Sequence, residues 1–363
     1  MNGNLILNRI WLAPLSLLYG AGVAIRNWLF NGGVLPSEKF NVPVLCVGNI
    51  TMGGTGKTPF SEYLIRLLQP KHRVGFLSRG YKRKSKGYIL ANANSLPSEI
   101  GDEPCQVKNK FPDVVVAVNV DRREGIRNML QIQDAPPDVI ILDDAYQYRY
   151  VEPDVAILLI DYNRLIVEDY LFPLGWLREP ASAKKRAHIV VITKCPRDIK
   201  PIDIRVINKR LNLYPYQTIY FTTLKYDEPV PVFATHAQPI PFDELAKNGT
   251  ILALSGIASP LPFEQALSLL SHEVIPIRFP DHHYFSENDF KRIEKRFYEI
   301  PNPQKVIVTT EKDAVRIKQD ARFPELLKSR IYYLPVAIEF LLDKENVFNK
   351  QINNYVKRNR QGV

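Results

Sequence analysis

The chain has 363 residues, of which 45% are hydrophobic and 24% are charged, and a formal net charge of +10. These values are typical of a globular protein and exclude a disordered or fibrous chain, and the length suggests about two domains. The three cysteines, Cys46, Cys105 and Cys195, have neither disulfide nor metal-ligand spacing, which fits a reducing cytoplasmic setting. The positive charge favours an anionic partner, and because no nucleic-acid-binding signature is present we expect no nucleic acid.

The chain opens with an apolar segment that carries no charge between Arg9 and Arg26. Residues 10–25 are too few for a spanning helix, which needs about 20 predominantly apolar residues, and Pro14 interrupts them. Aromatic side chains suited to a membrane interface punctuate the segment: Trp11, Tyr19 and Trp28. We therefore expect residues 1–30 to form a helix that lies on an anionic membrane surface. A buried core helix, a true membrane span and a signal peptide are the alternatives.

The rest of the chain alternates short apolar runs with polar stretches of helix length. The runs before residue 225 are Val44–Val47, Val74–Leu77, Val114–Val118, Val139–Leu142, Val155–Ile160 and Ile189–Ile192. The later runs are Ile251–Leu254, Val274–Ile277, Val306–Val308 and Ile331–Leu334. Continuous apolarity predicts strands buried on both faces, as in a parallel sheet covered by helices. We predict two α/β domains, residues 31–225 and a smaller one over 226–363, with a cleft between them.

A glycine-rich turn follows the first apolar run. It reads Gly48-Asn49-Ile50-Thr51-Met52-Gly53-Gly54-Thr55-Gly56-Lys57-Thr58. Glycines let backbone N–H groups converge on phosphate oxygens, and a helix beginning near Lys57 adds a field that favours anions. Lys57 would reach the β- and γ-phosphates of ATP, and the Thr58 hydroxyl would hold Mg²⁺. Although Thr51 stands where the strict motif has Gly, the pattern predicts a P-loop NTPase-type first domain.

Another apolar run ends in two carboxylates, Asp143 and Asp144. In P-loop enzymes such a strand lies beside the loop strand, and its terminal Asp holds Mg²⁺ directly or through water. Carboxylate oxygens at the carboxyl end of a strand suit this hard cation. The run therefore predicts a magnesium site next to the glycine-rich turn.

Two further residues are candidates for proton transfer. Asp102 has the side chain that kinases use as a base toward a hydroxyl, although Asp-Glu-Pro is also a common helix start. His282 lies in the sequence Asp281-His282-His283, where two adjacent histidines without a clear third ligand make a poor metal site. A carboxylate–histidine relay that reaches across the cleft is the chemically more sensible interpretation.

Other polar residues follow predicted strands and should emerge at the carboxyl edge of the sheet, where α/β folds bind ligands. Arg79 and Arg122 offer planar guanidinium groups that suit a phosphate, and ordinary surface arginine is the alternative. Glu179 could add a Mg²⁺ contact, or mark a helix boundary before the following proline. Thr193 and Lys194 end a strand where related folds place contacts to the nucleotide base.

The order and spacing of these motifs resemble the tetraacyldisaccharide 4′-kinase family of lipid A biosynthesis over nearly the whole chain. Besides the glycine-rich turn, the resemblance rests on Leu77-Ser78-Arg79-Gly80-Tyr81, Gly101-Asp102-Glu103-Pro104, Leu142-Asp143-Asp144-Ala145-Tyr146-Gln147, Leu177-Arg178-Glu179-Pro180, Asp281-His282-His283 and Thr310-Glu311-Lys312-Asp313. Thr51 is the family's own departure from the strict loop. Tyr148 is a departure of this chain, because many relatives carry His there.

The resemblance implies a kinase that uses ATP and Mg²⁺ to phosphorylate the 4′-hydroxyl of a tetraacylated glucosamine disaccharide 1-phosphate, a lipid A precursor. It implies Lys57 and Thr58 as ligands of phosphate and Mg²⁺, with Asp143, Asp144 and Glu179 as the acidic metal neighbourhood. It further implies Asp102 as the base, His282 as its partner, and Arg79, Arg122 and Gln147 as contacts to the acceptor.

The implied reaction is a direct, in-line transfer without a phosphoenzyme. The implied protein is a monomer bound peripherally to the cytoplasmic face of the bacterial inner membrane. A soluble small-molecule kinase and a nucleotide switch of the partitioning-ATPase type are the rival interpretations. Met52 weighs against the switch, because those ATPases carry a signature lysine at that position.

Overall fold

The computed structural model describes residues 11–236, 242–281 and 283–360. The first ten residues of the predicted membrane segment and the predicted relay residue His282 lie outside this description. The helices are α1 (Ala13–Asn31), α2 (Lys57–Leu68), α3 (Pro97–Ile100), α4 (Asp102–Lys110), α5 (Arg122–Leu130), α6 (Pro201–Leu211), α7 (Phe242–Asn248), α8 (Leu261–Leu267), α9 (Glu287–Glu299), α10 (Glu311–Lys318) and α11 (Glu345–Arg360). The strands are β1 (Val44–Gly48), β2 (Val74–Ser78), β3 (Ile89–Leu90), β4 (Val115–Val118), β5 (Val139–Asp143), β6 (Val155–Asp161), β7 (Ile189–Thr193), β8 (Thr218–Tyr226), β9 (Val230–Pro231), β10 (Thr250–Ser255), β11 (Glu273–Arg278), β12 (Lys305–Thr310), β13 (Ile331–Leu334) and β14 (Val336–Phe340).

The larger sheet has the strand order β14-β8-β7-β6-β1-β5-β2-β4-β3 within the described residues. Its central strands pair in parallel, and only the outer pairs β14–β8 and β3–β4 are antiparallel there. Strand β1 lies between β6 and β5, so the turn after β1 and the carboxylates at the end of β5 reach the same edge of the sheet. That edge is where open α/β folds bind ligands.

Both faces of this sheet are covered, which explains the continuous apolarity of its strands. Every residue of β1, β2 and β5 is buried. On one face α2 packs against α11, where the rings of Phe60 and Phe348 meet edge to face with centroids 5.7 Å apart. On the other face α5 and the segments 145–151 and 165–187 cover the sheet. The prediction of an α/β fold with a parallel sheet is confirmed.

A smaller sheet follows along the chain, with the order β11-β10-β12-β13-β9. Four of its strands are parallel, and β9 pairs with β13 in the antiparallel sense. After β13 the chain returns to the larger sheet through β14, and α11 packs beside α2. The division of the chain into residues 31–225 and 226–363 remains a prediction. That division does not include the return of β14 and α11, which follow residue 226, to the larger sheet.

Helix α1 lies against the segments that carry the carboxyl edge of the sheet. The Tyr19 hydroxyl donates to the Arg178 carbonyl (2.8 Å), and the Arg26 guanidinium donates to the Gln147 carbonyl (3.2 Å). The outer side of α1 and the turn before it are apolar and exposed at Trp11, Leu15, Leu17, Leu18, Ile25 and Trp28. Across the described ranges, no helix has the length and apolarity needed to cross a bilayer.

Candidate active site

The glycine-rich turn connects β1 to α2, as the sequence predicts. Gly56 caps the helix in the left-handed conformation (φ 82°), and Gly53 also has a positive φ (101°). Glycine adopts this region without the steric cost of a side chain. Helix α2 begins at Lys57, so its first N–H groups and the positive end of its dipole face the turn. The turn has the geometry of an anion-binding loop.

Side chains from neighbouring segments hold the carbonyl groups of this turn. The donors and acceptors are Arg164 Nη2 to Met52 O (2.6 Å), Lys194 Nζ to Gly54 O (2.5 Å) and Thr193 Oγ1 to Thr55 O (2.9 Å). A carbonyl oxygen that is engaged from outside cannot also turn toward a bound phosphate, which it would repel. In the structure Thr193 and Lys194 bind the glycine-rich turn of residues 48–58, hereafter the phosphate turn, and their predicted contact with the nucleotide base remains a prediction.

The first half of the turn is fixed by a short antiparallel contact. The Met52 N–H donates to the Trp176 carbonyl (2.7 Å), and the Arg178 N–H donates to the Ile50 carbonyl (2.7 Å). Between these two bonds Thr51 forms a bridge with Leu177. Thr51 is buried and extended here, so this position has no need of the glycine that the strict motif contains.

The two carboxylates at the end of β5, Asp143 and Asp144, occupy different environments. Asp143 is buried and accepts a hydrogen bond from Ser61 Oγ (3.0 Å), and burial, with the neighbouring Asp144 charge, raises the pKa of Asp143 to about 7. Asp144 lies 3.6 Å from Lys57 Nζ and 3.5 Å from Arg178 Nη1. Burial raises the pKa of Asp144, but these two cations outweigh it and hold the pKa below its ordinary value. The structure therefore brings Lys57 and Asp144 together at the carboxyl edge of the larger sheet.

The pair Asp143 and Asp144 suits Mg²⁺, which keeps water and phosphate ligands, better than a metal ion that takes all of its ligands from protein side chains. Asp144 Oδ1 is buried, lies 3.6 Å from Lys57 Nζ and accepts no hydrogen bond from the described residues, so its lone pairs suit a cation. No group of three or more His, Cys, Asp and Glu ligands occurs in the described part of the chain. Mg²⁺ commonly takes one or two carboxylates together with water and substrate phosphates, so a sparse donor set is suitable.

Glu179 lies beneath the site in a separate ion pair. It is buried, and its carboxylate binds the guanidinium of Arg186, which also stacks over Tyr146 (4.8 Å from guanidinium carbon to ring centre). The magnesium role of Glu179 remains a prediction.

Asp102 begins helix α4 and is buried at the junction between the two sheets. The guanidinium of Arg316 on α10 binds it in a two-pronged pair, with Nε donating to Oδ1 (2.9 Å) and Nη2 to Oδ2. Arg316 also donates to the His283 carbonyl (2.9 Å). The smaller sheet and its helices (the smaller unit) therefore provide an arginine that binds Asp102. The sequence did not indicate this arginine as a site residue. In the sequence, the one indication of a role for Arg316 was its position four residues after Lys312, in the helix that contains part of the Thr310-Glu311-Lys312-Asp313 motif.

The predicted acceptor contacts lie around the same edge. Arg122 is buried and stacks over Tyr148 at 4.8 Å, and burial, with the nearby Arg79, lowers the pKa of Arg122. Arg79 is exposed at the rim. The Gln147 side chain donates to the carbonyl of Asn49 (2.7 Å), so it contacts the phosphate turn in this structure. These acceptor roles remain predictions.

The parallel sheet, the capped glycine turn and the Lys57–Asp144 contact define a P-loop nucleotide-binding protein. The family model described as "Tetraacyldisaccharide-1-P 4'-kinase" matches residues 8–357. The chain belongs to this family.

Curated relatives agree over almost their whole length. The chain is 50% identical to the tetraacyldisaccharide 4'-kinase of Phocaeicola vulgatus over 360 residues, covering 99% of this chain and 98% of that one. It is 48% identical to the enzyme of the same name from Bacteroides thetaiotaomicron, covering 96% and 93%. A crystal structure described as the "apo" form of LpxK from Aquifex aeolicus in complex with ATP has a TM-score of 0.73 and 29% identity, covering 96% of this chain and 99% of that one. The predicted family, P-loop fold and kinase class are confirmed.

Proposed function

We propose that this protein transfers the γ-phosphate of ATP to the 4′-hydroxyl of a tetraacylated glucosamine disaccharide 1-phosphate, giving the 4′-phosphorylated lipid A precursor. The observation that carries the proposal is the convergence at one sheet edge of a phosphate-binding turn, an acidic pair and the buried Asp102. Membership in the family and the length of the matches to its kinases support the choice of acceptor.

The phosphate turn binds ATP and neutralises the negative charge of its phosphate groups during the transfer. Backbone N–H groups of residues 53–58 and the Lys57 ammonium contact the phosphates, while the three tethered carbonyls point away from them. Thr58, Asp143 and Asp144 would hold Mg²⁺, and Glu179 would be a further carboxylate close to the ion. The ion supplies charge neutralisation at the phosphates. Because the phosphoryl group passes directly between two oxygens, the work of the protein is positioning.

Asp102 is the proposed base that orients the 4′-hydroxyl and accepts its proton. Arg316 fixes the plane of the Asp102 carboxylate through two donors, which would hold the carboxylate in one orientation toward the hydroxyl. His282 is the proposed relay partner from the smaller unit. Because Asp102 is buried at the junction of the two units, the acceptor needs those units to separate before it binds, and their closure then excludes water.

Helix α1 is the proposed contact with the cytoplasmic face of the inner membrane. Its exposed apolar side chains and the neighbouring exposed Tyr170 and Trp176 form one apolar surface, because Ser16 and Tyr19 bind residues 171 and 178. Aromatic and aliphatic side chains of this kind enter the headgroup and acyl boundary of a bilayer. The helix would hold the protein, as a monomer, where the acyl chains of its acceptor lie.

The position of the transferred phosphate tests the proposal. The wild type is incubated with γ-labelled ATP, Mg²⁺ and tetraacyldisaccharide 1-phosphate in detergent micelles, and the lipid product is analysed by NMR. A new phosphate on the 4′-oxygen is the expected result. Phosphate on another hydroxyl, or label transferred only to water, would contradict the assigned acceptor.

A further inference from the structure

Arg122 is a buried cation at the carboxyl edge of the larger sheet, where it begins α5. Only 4% of the residue is exposed. Its Nη1 donates to the Val120 carbonyl (2.7 Å), and its Nε is buried without a hydrogen-bond acceptor among the described residues. Burial lowers the pKa of Arg122, and the charge of the nearby Asp144 opposes this shift. A buried guanidinium donor without an acceptor is costly, and an oxygen of a bound ligand would satisfy it.

The ring of Tyr148 stacks with the Arg122 guanidinium, with 4.8 Å between the guanidinium carbon and the ring centre. A planar guanidinium group binds favourably to an aromatic face, and this contact limits the orientations of its plane. The Tyr148 hydroxyl donates to Asp121 Oδ1 (2.6 Å), and the same oxygen accepts the Arg123 N–H (2.9 Å) at the start of α5. Tyr148 is therefore attached to the turn of α5 that carries Arg122, which fixes the two side chains relative to each other.

A row of aromatic rings connects Tyr148 to helix α1. The ring centres of Tyr148 and Tyr150 are 5.6 Å apart, and Tyr150 meets Phe30 of α1 edge to face at 4.9 Å. The Tyr148 N–H donates to the carbonyl of Ala145 (2.8 Å), which follows Asp144 directly in the chain. Because both the ring and the backbone of Tyr148 are restrained, the surface on which Arg122 stacks has a fixed position beside the acidic pair.

We propose that Tyr148 is a positioning residue that acts through Arg122 and thereby helps to orient the acceptor. The inference rests on the proposed function and on the predicted contact of Arg122 with the acceptor. A guanidinium that is held in one plane before the acceptor binds loses little conformational freedom when it donates to that ligand. A displacement of about 1 Å at such a contact lowers the rate of transfer. Tyr148 therefore contributes to the use of the acceptor and not to the binding of ATP.

The test measures phosphate transfer to tetraacyldisaccharide 1-phosphate in micelles by wild type, Tyr148→Phe and Tyr148→Leu, with acceptor and ATP varied separately. We expect Tyr148→Leu to lower kcat/KM for the acceptor about tenfold and to change KM for ATP less than about twofold. Tyr148→Phe keeps the ring beside Arg122, so it should retain most of that kcat/KM. The matched control is Tyr214→Leu, which should keep both wild-type values. Tyr214 also contacts a cation, Lys184 (5.8 Å), but precedes β8 at the opposite end of the strands.

A double-mutant cycle shows whether Tyr148 acts through Arg122. Adding Tyr148→Leu to Arg122→Met should lower kcat/KM for the acceptor less than about twofold further, because the side chain that Tyr148 positions is already absent. Additive losses, a wild-type kcat/KM in Tyr148→Leu, a comparable rise in KM for ATP, or an equal loss in Tyr214→Leu would overturn the inference. Circular dichroism monitors folding, and Tyr148→Gln takes the place of the Leu variant if that variant does not fold. If the wild type itself transfers no phosphate, the proposed function fails and the inference falls with it.

Discussion

Single side chains outside the glycine-rich motif shape the phosphate turn. Lys194 has a left-handed backbone (φ 57°) and binds both the Gly54 carbonyl and Asp161 Oδ2 (2.8 Å). Thr193 and Arg164 hold two further carbonyls in the same way. Since the N–H groups of a peptide point opposite to its carbonyl groups, holding the carbonyls outward keeps donors directed at the ligand.

Lys194→Met should weaken ATP binding. We expect KM for ATP to rise about tenfold with a smaller change in kcat, because a charge-assisted hydrogen bond to the turn is lost and Gly54 can rotate. Lys194→Arg, which keeps the charge and a donor, should restore most of the affinity. The control is Lys209→Met at an exposed helix position. A wild-type KM in Lys194→Met, or an Arg variant as impaired as the Met variant, would show that the contact does not position the turn.

At the scale of elements, helix α4 links the phosphate-binding helix α2 to α10 of the smaller unit. Its first residue, Asp102, pairs with Arg316 on α10. Its last residue, Lys110, lies 2.7 Å from Glu62 on α2 and 2.5 Å from Glu311 on α10. Both carboxylates are buried, so one ammonium group neutralises two charges that are withdrawn from water.

Lys110→Met should destabilise the fold by about 3–5 kcal/mol, because it leaves the buried Glu311 without a cation among the described residues and Glu62 with the 3.8 Å contact to the exposed Arg66. Burial, with the neighbouring Glu311 charge, raises the pKa of Glu62, and removing Lys110 raises it further. The folded state then binds a proton that the unfolded state releases, so the stability of the variant falls as pH rises above the ordinary pKa of glutamate. Its deficit should be smaller in acid than at neutral pH.

Urea unfolding of wild type and variant at pH 5 and pH 8 measures this deficit. Adding Glu62→Gln and Glu311→Gln to Lys110→Met is the matched control, because it removes the stranded charges and should recover most of the stability. A deficit that does not depend on pH, or that persists in the triple variant, would assign the effect to packing instead of charge.

Helix α1 supports a prediction on membrane binding. Leu15→Ser, Leu18→Ser and Ile25→Ser together should weaken binding to anionic vesicles at least about tenfold, because full burial of each such side chain contributes roughly 1.5–3 kcal/mol and a tenfold change requires about 1.4 kcal/mol in total. Co-sedimentation with vesicles is the measurement. The control replaces exposed apolar residues elsewhere, Leu269→Ser, Leu326→Ser and Val347→Ser. Equal loss in both variants would contradict a specific role for α1.

At the scale of the whole molecule, the sequence predicts what depends on local pattern. Buried strands such as β1 and β5 read as continuous apolar runs, and the turn before Lys57 is recognisable because its glycines serve its backbone geometry. The Asp102–Arg316 pair joins residues far apart in the chain, and no periodicity encodes it. The same is true of β14 and α11, which return to the larger sheet after the smaller one is complete.

We propose that the carboxyl edge of the larger sheet transfers phosphate to an acylated disaccharide. The direct measurement is ATP-dependent phosphate transfer to tetraacyldisaccharide 1-phosphate in micelles by wild type, Lys57→Ala and Asp102→Ala side by side, each shown to be folded. We expect transfer by the wild type and a loss of at least about a hundredfold in both variants, since one removes a phosphate cation and the other the base. A folded, ATP-binding wild type that transfers nothing, or an Asp102→Ala variant with wild-type rates, would contradict the account.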